Sequence, residues 1–152
     1  MSISERDFLS DLLNGMRGRP RSIPAKYFYD ERGSALFEAI CGLPEYYLTR
    51  SELAILNESA AEIATLLGPR CLLIEYGSGS SAKVRPLLDQ LEVPAGYVPI
   101  DVSTEHLHAL AAEIARDYPA LEVTPLATDF TRPPLLPTHT VDARRVVTFP
   151  GS

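Results

Sequence analysis

Apolar residues recur at helical spacing through the first 68 positions of this 152-residue chain. The spacing predicts three amphipathic helices, of which the first ends near Gly18. We expect Ser34 to cap the second helix, because a serine hydroxyl is suited to accept a hydrogen bond from a free amide at a helix start. Thr49 has capping-box spacing to Glu52 and predicts the start of a third, long helix. Together these helices form a predicted N-terminal module, residues 1–68.

The pattern changes after residue 68 to short apolar runs that alternate with segments of helical spacing. The first run is continuous, which is typical of a parallel strand buried on both faces. Such alternation predicts an α/β fold, with a doubly wound parallel sheet of about four strands in residues 69–152. The predicted strands are 71–74, 97–100, 121–126 and 145–149, and the predicted helices are 83–91 and 103–118.

The composition and charge of the chain limit the classes of partner that it is expected to bind. A formal net charge of −6 with a pI near 5.0 repels nucleic-acid phosphates and anionic lipid headgroups. Neither a nucleic acid nor a membrane is an expected partner, and no apolar run approaches the ~18 residues of a membrane span. Cys41 and Cys71 lack the spacing of metal ligands and are expected to be small core residues. The N-terminus lacks the basic region of a signal peptide, which favours a cytoplasmic protein.

A glycine-rich turn follows the first predicted strand, with the sequence EYGSGSS over residues 75–81. Gly77 and Gly79 lack the side chains that would otherwise fill the space beside the backbone, so a nucleotide can approach the turn closely. Together with Ala82 they also satisfy the dinucleotide pattern G-x-G-x-x-G/A. The turn alone therefore fits S-adenosylmethionine, a nicotinamide dinucleotide or an ordinary tight turn.

Acidic residues follow the next two predicted strands. Asp101 ends the second strand, where a carboxylate reads ribose hydroxyls in nucleotide-binding sheets. Asp129 and Phe130 follow the third strand, where the acid can accept a hydrogen bond from an adenine amino group and the ring can pack beside the base. Either aspartate alone is typical of an ordinary loop, but their joint placement favours a nucleoside site. Glu75 is open to three interpretations: it orients the turn, holds a ligand's amino group or is a buried structural carboxylate.

Several stretches of the chain match a known family in order. They are PAKYFYD at 24–30, GSALFE at 33–38, LPEYY at 43–47 with Thr49, Arg50 and Glu52, EYGSGSS at 75–81, DFT at 129–131 and FPGS at 149–152. Such a series is far more specific than one glycine turn. In these stretches the sequence resembles the histidine-specific, S-adenosylmethionine-dependent N-alpha-methyltransferases of ergothioneine biosynthesis, and the resemblance covers nearly the whole chain. Small departures are Tyr76, where an aliphatic residue is usual, and Leu48, which replaces a common proline.

The resemblance implies a partial Rossmann-like class I methyltransferase core that follows the helical N-terminal module. It implies S-adenosylmethionine as the cofactor and the alpha-amino group of L-histidine, a small-molecule partner, as the methyl acceptor. Tyr46 would contact the amino-acid substrate, and Tyr29 and Phe37 would line the same pocket. We expect no catalytic side chain or metal, because methyl transfer from a sulfonium needs mainly alignment and desolvation. The residues implied to contact the cofactor are Gly77, Lys83, Asp101, Asp129 and Phe130.

Other functions stay open. A related methyltransferase for another amino acid, such as a tryptophan derivative, would share the residues named above, and a non-catalytic nucleotide-binding module would keep the fold without turnover. A nicotinamide-dependent oxidoreductase fits the glycine turn and Asp101 but gives the aromatic residues of the N-terminal module no role. Members of the family continue well beyond the FPGS segment. We therefore expect a fragment that keeps much of the cofactor half-site and lacks much of the substrate site.

Overall fold

The structure, a computed structural model, describes residues 5–28, 30–129, 134–136 and 142–150. Helices precede the first strand, and strands then alternate with helices, which confirms the predicted α/β class. The helices are α1 (Glu5–Arg17), a short 3₁₀ helix (Ala25–Phe28), α2 (Glu31–Cys41), α3 (Leu48–Leu67), α4 (Ser81–Leu88) and α5 (Thr104–Asp117). The strands are β1 (Cys71–Tyr76), β2 (Gly96–Asp101), β3 (Leu126–Ala127) and β4 (Arg144–Thr148).

The four strands form one parallel sheet in the order β3-β2-β1-β4. In the register of this sheet, Leu73 of β1 lies beside Tyr97 of β2 on one side and beside Val146 of β4 on the other. A continuous apolar run suits β1, because both faces of this inner strand are covered. The carboxyl ends of all four strands meet along one side of the sheet, which we call the carboxyl edge.

Side chains of β1 and β2 fill two apolar clusters, one on each face of the sheet. Leu73 and Tyr97 pack on the face that α3, α4 and α5 cover, where they meet helix residues such as Ile114. Leu72 and Val98 belong to the cluster on the opposite face. Because both faces are buried, the strand ends that carry the predicted site residues have a rigid support.

The third strand is shorter than the sequence predicts. The predicted strand covers residues 121–126, but β3 begins only at Leu126. Val123 makes an isolated parallel bridge to Tyr97. Pro125 then interrupts the ladder, because proline has no N–H group to donate. The segment therefore runs beside β2 but pairs with it regularly only at its carboxyl end.

Three helix starts also differ from the prediction. Asp30 rather than Ser34 caps α2, because its Oδ1 accepts an N–H of the first turn at 2.7 Å. α3 begins one residue before Thr49, whose buried hydroxyl has no hydrogen-bond partner in the described part of the chain. The corner before α3 is instead held by Arg50, which donates to carbonyl oxygens of the preceding loop. α4 begins two residues earlier than predicted, because the Ser80 hydroxyl caps it.

Both cysteines are free thiols. Cys71 is a fully buried core residue, as the sequence predicts, whereas Cys41 is only half-buried and the prediction of a core residue is wrong there. Among the described residues, no group of side chains has the composition of a metal site. Nor does any helix within those ranges combine the length and the apolar character that a bilayer span needs.

Candidate functional site

The glycine turn begins directly after β1 and is bonded to the end of β2. Gly77 has a φ of 71°, in the left-handed region that glycine occupies without strain. The N–H groups of Gly77 and Ser78 both donate to the carbonyl oxygen of Ile100, at 2.8 and 3.1 Å. The Gly79 N–H donates to the Gly77 carbonyl at 2.8 Å, and His106 Nε2 lies 2.7 Å from the Gly79 carbonyl oxygen. The turn is therefore held in one shape by β2 and α5.

The two predicted acids follow the neighbouring strands. Asp101 is the last residue of β2, and its Oδ1 accepts a backbone N–H from two residues further on, at 2.9 Å. Its carbonyl oxygen accepts the N–H of Thr128 at 2.9 Å, and the half-buried Asp129 comes next. The structure thus brings Gly77, Asp101 and Asp129 to the carboxyl edge, at the ends of three adjacent strands. Phe130 lies outside the described residues.

Lys83 lies in a cavity beside the turn. Its Nζ is 3.0 Å from Oε2 of Glu52 on α3, and its side chain is only 10% exposed. The cavity has a volume of about 220 Å³, and Glu75 and Phe149 also line it. The charge of Lys83, one of the residues predicted to contact the cofactor, is therefore paired with a carboxylate of the N-terminal module.

A buried carboxyl group, Glu75, lies beneath the glycine turn. It is 2% exposed, and the hydroxyls of Ser78 and Tyr97 both donate to its Oε2. Burial raises the pKa of Glu75, and burial together with the Glu75 charge raises the pKa of Tyr97 well above 10.0. Tyr97 therefore stays a hydrogen-bond donor. Of the three interpretations of Glu75, the geometry supports a buried carboxyl group that orients the turn through Ser78.

A second lysine reaches the carboxyl edge from the N-terminal module. Lys26 Nζ lies 3.2 Å from Asp129 Oδ2 and 3.5 Å from Asp11 Oδ2. The hydrogen bond to Asp129 is the largest cause that raises the pKa of Lys26, and a hydrogen bond from Tyr27 is the largest that lowers the pKa of Asp11. Lys26 and Asp11 are therefore both charged at neutral pH.

The aromatic residues predicted to line the substrate pocket are described only in part. Phe37 of α2 and Tyr46, just before α3, pack edge to face with their ring centroids 6.0 Å apart. Both side chains are half-buried, whereas Tyr29 lies outside the described residues. The structure brings Phe37 and Tyr46 together, and contact of Tyr46 with a substrate stays a prediction.

Sequence reasoning missed the partners of the two lysines and the role of Tyr97. The chain contains only two lysines, and each is paired with a carboxylate that is distant in the sequence. The available signal was that Lys26 and Glu52 both lie in stretches that carry the family resemblance. The signal at Tyr97 was weaker. A tyrosine in a predicted buried strand indicates that its hydroxyl has a hydrogen-bond partner, but not which residue that partner is.

Three relatives show what the chain is similar to. It is 40% identical to the histidine N-alpha-methyltransferase of Mycolicibacterium smegmatis over 145 residues, 93% of this chain and 44% of that protein. Ergothioneine biosynthesis protein 1 of Neurospora crassa is 41% identical over 99 residues, 62% of this chain and 11% of that protein. A 4-dimethylallyltryptophan N-methyltransferase of Epichloe festucae var. lolii is 34% identical over 112 residues, 71% of this chain and 33% of that protein. The chain therefore spans less than half the length of each.

A family model matches the chain over a range as long as the match to the Mycolicibacterium relative. The family described as "Histidine-specific methyltransferase, SAM-dependent" matches residues 8–152. This range includes the aromatic pair, both lysines and all three described residues at the strand ends. Because the match extends over nearly the whole chain, the protein belongs to the family of histidine-specific, S-adenosylmethionine-dependent methyltransferases.

Proposed function

We propose that this chain binds S-adenosylmethionine at the carboxyl edge and forms part of an N-methyltransferase for the alpha-amino group of L-histidine. One observation carries the proposal: the glycine turn, Asp101 and Asp129 lie at the ends of three adjacent strands. Ligands of open parallel sheets bind outside the carboxyl ends of the strands. The family description and the name of the Mycolicibacterium relative support the reaction.

The chemical groups at the carboxyl edge suit a nucleoside. Asp101 uses Oδ1 for one backbone N–H, and a carboxylate has further lone pairs that can accept from two ribose hydroxyls. Asp129 would accept from the adenine amino group in the same way. Gly77 is exposed, so the backbone of the turn is open to a ligand. These residues therefore fit the nucleoside part of the cofactor.

The cavity beside the turn suits the amino-acid part of the cofactor. Glu52 offers an acceptor for an ammonium, and Lys83 offers a donor for a carboxylate. S-adenosylmethionine carries both groups. The cavity of about 220 Å³ is smaller than the ~300 Å³ at the lower end for small-molecule sites, so it would hold only part of the cofactor.

Methyl transfer needs alignment more than a nucleophilic side chain. S-adenosylmethionine, held by the glycine turn, Asp101 and Asp129, would supply an electrophilic methyl group to the unprotonated amine of the substrate. The rings of Phe37 and Tyr46 offer aromatic faces, which stabilise a nearby cationic group by ~0.5–2 kcal/mol. In this proposal the aromatic pair orients the amino-acid substrate and keeps water away from it.

A different amino-acid substrate is the second candidate function. The Epichloe relative is named for 4-dimethylallyltryptophan and is 34% identical to the chain. The residues proposed here to hold the cofactor suit either substrate equally, because none of them reads an imidazole or an indole. The choice between the two substrates therefore depends on an assay of products.

Cofactor binding is tested by calorimetric titration of the folded protein with S-adenosylmethionine. Asp101→Asn should weaken binding about tenfold to hundredfold, because a hydrogen bond to a charged group contributes ~1.5–3 kcal/mol. Asp142→Asn is the matched control, since it removes the same charge before β4, at the opposite end of the strands. Wild-type protein that is folded by circular dichroism but does not bind the cofactor would refute the proposal.

The reaction is tested by mass spectrometry after incubation with S-adenosylmethionine and equal amounts of histidine and 4-dimethylallyltryptophan. This chain and any longer natural form of it should be compared, because the chain spans less than half the length of its relatives. Histidine methylated at its alpha nitrogen supports the first proposal, and a methylated tryptophan derivative supports the second. Cofactor binding without either product favours a non-catalytic module.

A further inference from the structure

Lys26 joins the N-terminal module to one of the proposed cofactor residues. Its Nζ lies 3.2 Å from Oδ2 of Asp129 and 3.5 Å from Oδ2 of Asp11. The side chains are 31% exposed at Lys26, 36% at Asp11 and 25% at Asp129, so the cluster lies at the boundary between protein and solvent. Lys26 has no part in the proposed methyl transfer. The question is therefore what its contact with Asp129 contributes to the site.

The ammonium of Lys26 is held in place from α1 and the 3₁₀ helix. The Tyr27 hydroxyl donates to Asp11 Oδ2 at 2.6 Å, and the Tyr27 ring packs edge to face on Phe8 with centroids 4.9 Å apart. Lys26 Nζ also lies 5.3 Å from the centre of the Tyr27 ring. Asp11 and Tyr27 thus form a support that keeps the ammonium facing Asp129.

Electrostatics explain why a positive group is needed between the two acids. Asp11 and Asp129 both lie within 3.5 Å of Lys26 Nζ, and their like charges repel each other. The charge of Asp129 therefore acts to raise the pKa of Asp11, against Tyr27 and Lys26, which lower it. Lys26 is the shared counter-ion of the two carboxylates. Without Lys26, the repulsion between the two carboxylates would favour rotamers that turn Asp129 away from Asp11.

We propose that Lys26 is a positioning residue, which holds Asp129 in the orientation that accepts the adenine amino group. The inference rests on the proposed binding of S-adenosylmethionine. A carboxylate has about four lone-pair sites, so Asp129 can accept from Lys26 at Oδ2 and from a ligand as well. The opposite role, in which Lys26 competes with the ligand for Asp129, predicts tighter binding when Lys26 is removed.

The test compares two ligands that differ only at the adenine amino group. They are S-adenosylhomocysteine and its analogue with hydrogen in place of the 6-amino group, and the wild-type protein should prefer the first. Lys26→Met keeps the length of the side chain and removes its charge. It should reduce this preference about fivefold, as expected of a partly exposed ion pair. Lys26→Arg should keep most of the preference, and Asp129→Asn should lose at least as much as Lys26→Met.

A charge-matched control separates the ion pair from the overall charge of the protein. Arg116→Met also removes one positive charge, from a side chain that is 72% exposed near the end of α5. It should leave the preference between the two ligands unchanged. If Lys26→Met does not fold, Asp11→Asn gives the same comparison, because it keeps the charge of Lys26 and weakens its support. A smaller loss of preference is then expected.

The outcomes separate this inference from the proposed function. A folded Lys26→Met protein that keeps the wild-type preference, while Asp129→Asn loses it, overturns the positioning role alone. Equal weakening of both ligands shows a general structural role and also overturns it, as does tighter binding. Wild-type protein that binds neither ligand refutes the proposed function and the inference together.

Discussion

Removal of the Tyr97 hydroxyl tests the buried network beneath the glycine turn. Tyr97 is 0% exposed, and its hydroxyl donates to Oε2 of Glu75, which also accepts the hydroxyl of Ser78. Tyr97→Phe deletes one oxygen and keeps the ring in the apolar cluster under α4 and α5. Because the apolar area that is buried hardly changes, the variant isolates the contribution of the hydrogen bond.

The expected loss of stability for Tyr97→Phe is about 2 kcal/mol. A buried polar group that loses its partner costs ~1–3 kcal/mol, and the cost is higher when the group is charged. Ser78 still donates to the same carboxyl oxygen in the variant, which keeps the loss below the upper end of that range. In a protein of this size, ~2 kcal/mol corresponds to a decrease in Tm of roughly 4–8 °C.

Urea unfolding followed by circular dichroism measures the free energy of unfolding of both proteins, and an unchanged slope shows that the same surface is exposed. Tyr118→Phe is the control, because its hydroxyl also donates to a carboxylate, Asp89 Oδ1 at 2.6 Å, but at the surface. The control should change stability by no more than about 0.5 kcal/mol. If Tyr97→Phe costs no more than Tyr118→Phe, the buried hydrogen bond does not stabilise the fold, and the reasoning is wrong.

Three further predictions concern Glu75, the glycine turn and the start of α2. Burial raises the pKa of Glu75 in the folded state above the ordinary value of 4.5 that it has in the unfolded state. Between these two pKa values only the folded state keeps the proton, so the stability of the protein falls as pH rises. Glu75→Gln removes this effect, so in urea unfolding the variant should gain stability relative to the wild type as pH rises above 4.5; a growing deficit would contradict the direction of the pKa change. Gly77→Ala should cost about 1–2 kcal/mol and weaken cofactor binding, because of its left-handed φ. Gly79 lies outside the left-handed region, so Gly79→Ala should cost less than half as much stability and binding as Gly77→Ala in the same unfolding and titration experiments. Equal losses for the two variants would show that the conformation of Gly77 is unimportant. Asp30→Ala should lower the free energy of unfolding by ~1 kcal/mol through loss of the α2 cap, and Ser34→Ala by much less; the reverse order would support Ser34 as the cap.

Elements with a clear local pattern could be predicted from the sequence. The continuous apolar run at residues 71–74 became β1, and the helical spacing over 103–118 became α5, with each end of the helix within one residue. Both patterns reflect burial, which depends on the period of apolar residues along a short segment. The glycine turn was also predictable, because its glycines interrupt the apolar pattern between β1 and α4.

The boundaries that were wrong depend on interactions that a periodic pattern does not contain. Asp30 and Ser34 are both good capping residues, and the folded corner before α2 decides between them. Arg50 holds the loop before α3 through carbonyl groups that no sequence motif identifies. Pro125 lies inside the predicted strand 121–126, and its missing N–H prevents the regular pairing that the apolar residues around it indicate.

Within the candidate site, the positions of residues were more predictable than their partners. Gly77, Asp101 and Asp129 follow strands, and the topology of a parallel sheet alone brings strand ends to one edge. The ion pair of Lys26 with Asp129 joins residues that are 103 positions apart, so no local spacing reports it. Only the packing of the N-terminal helices against the sheet makes that contact.

The charged contacts of the site cross the predicted division between residues 1–68 and 69–152. Lys26 of the N-terminal module is paired with Asp129 of the sheet domain, and Lys83 of the sheet domain is paired with Glu52 of the N-terminal module. A lysine that is only 10% exposed is costly to keep charged without its partner, so a sheet without the N-terminal helices would lose the geometry of its own cavity. The helical module therefore supplies part of the candidate cofactor site as well as the aromatic residues. This shared construction explains why the stretches that carry the family resemblance lie on both sides of residue 68.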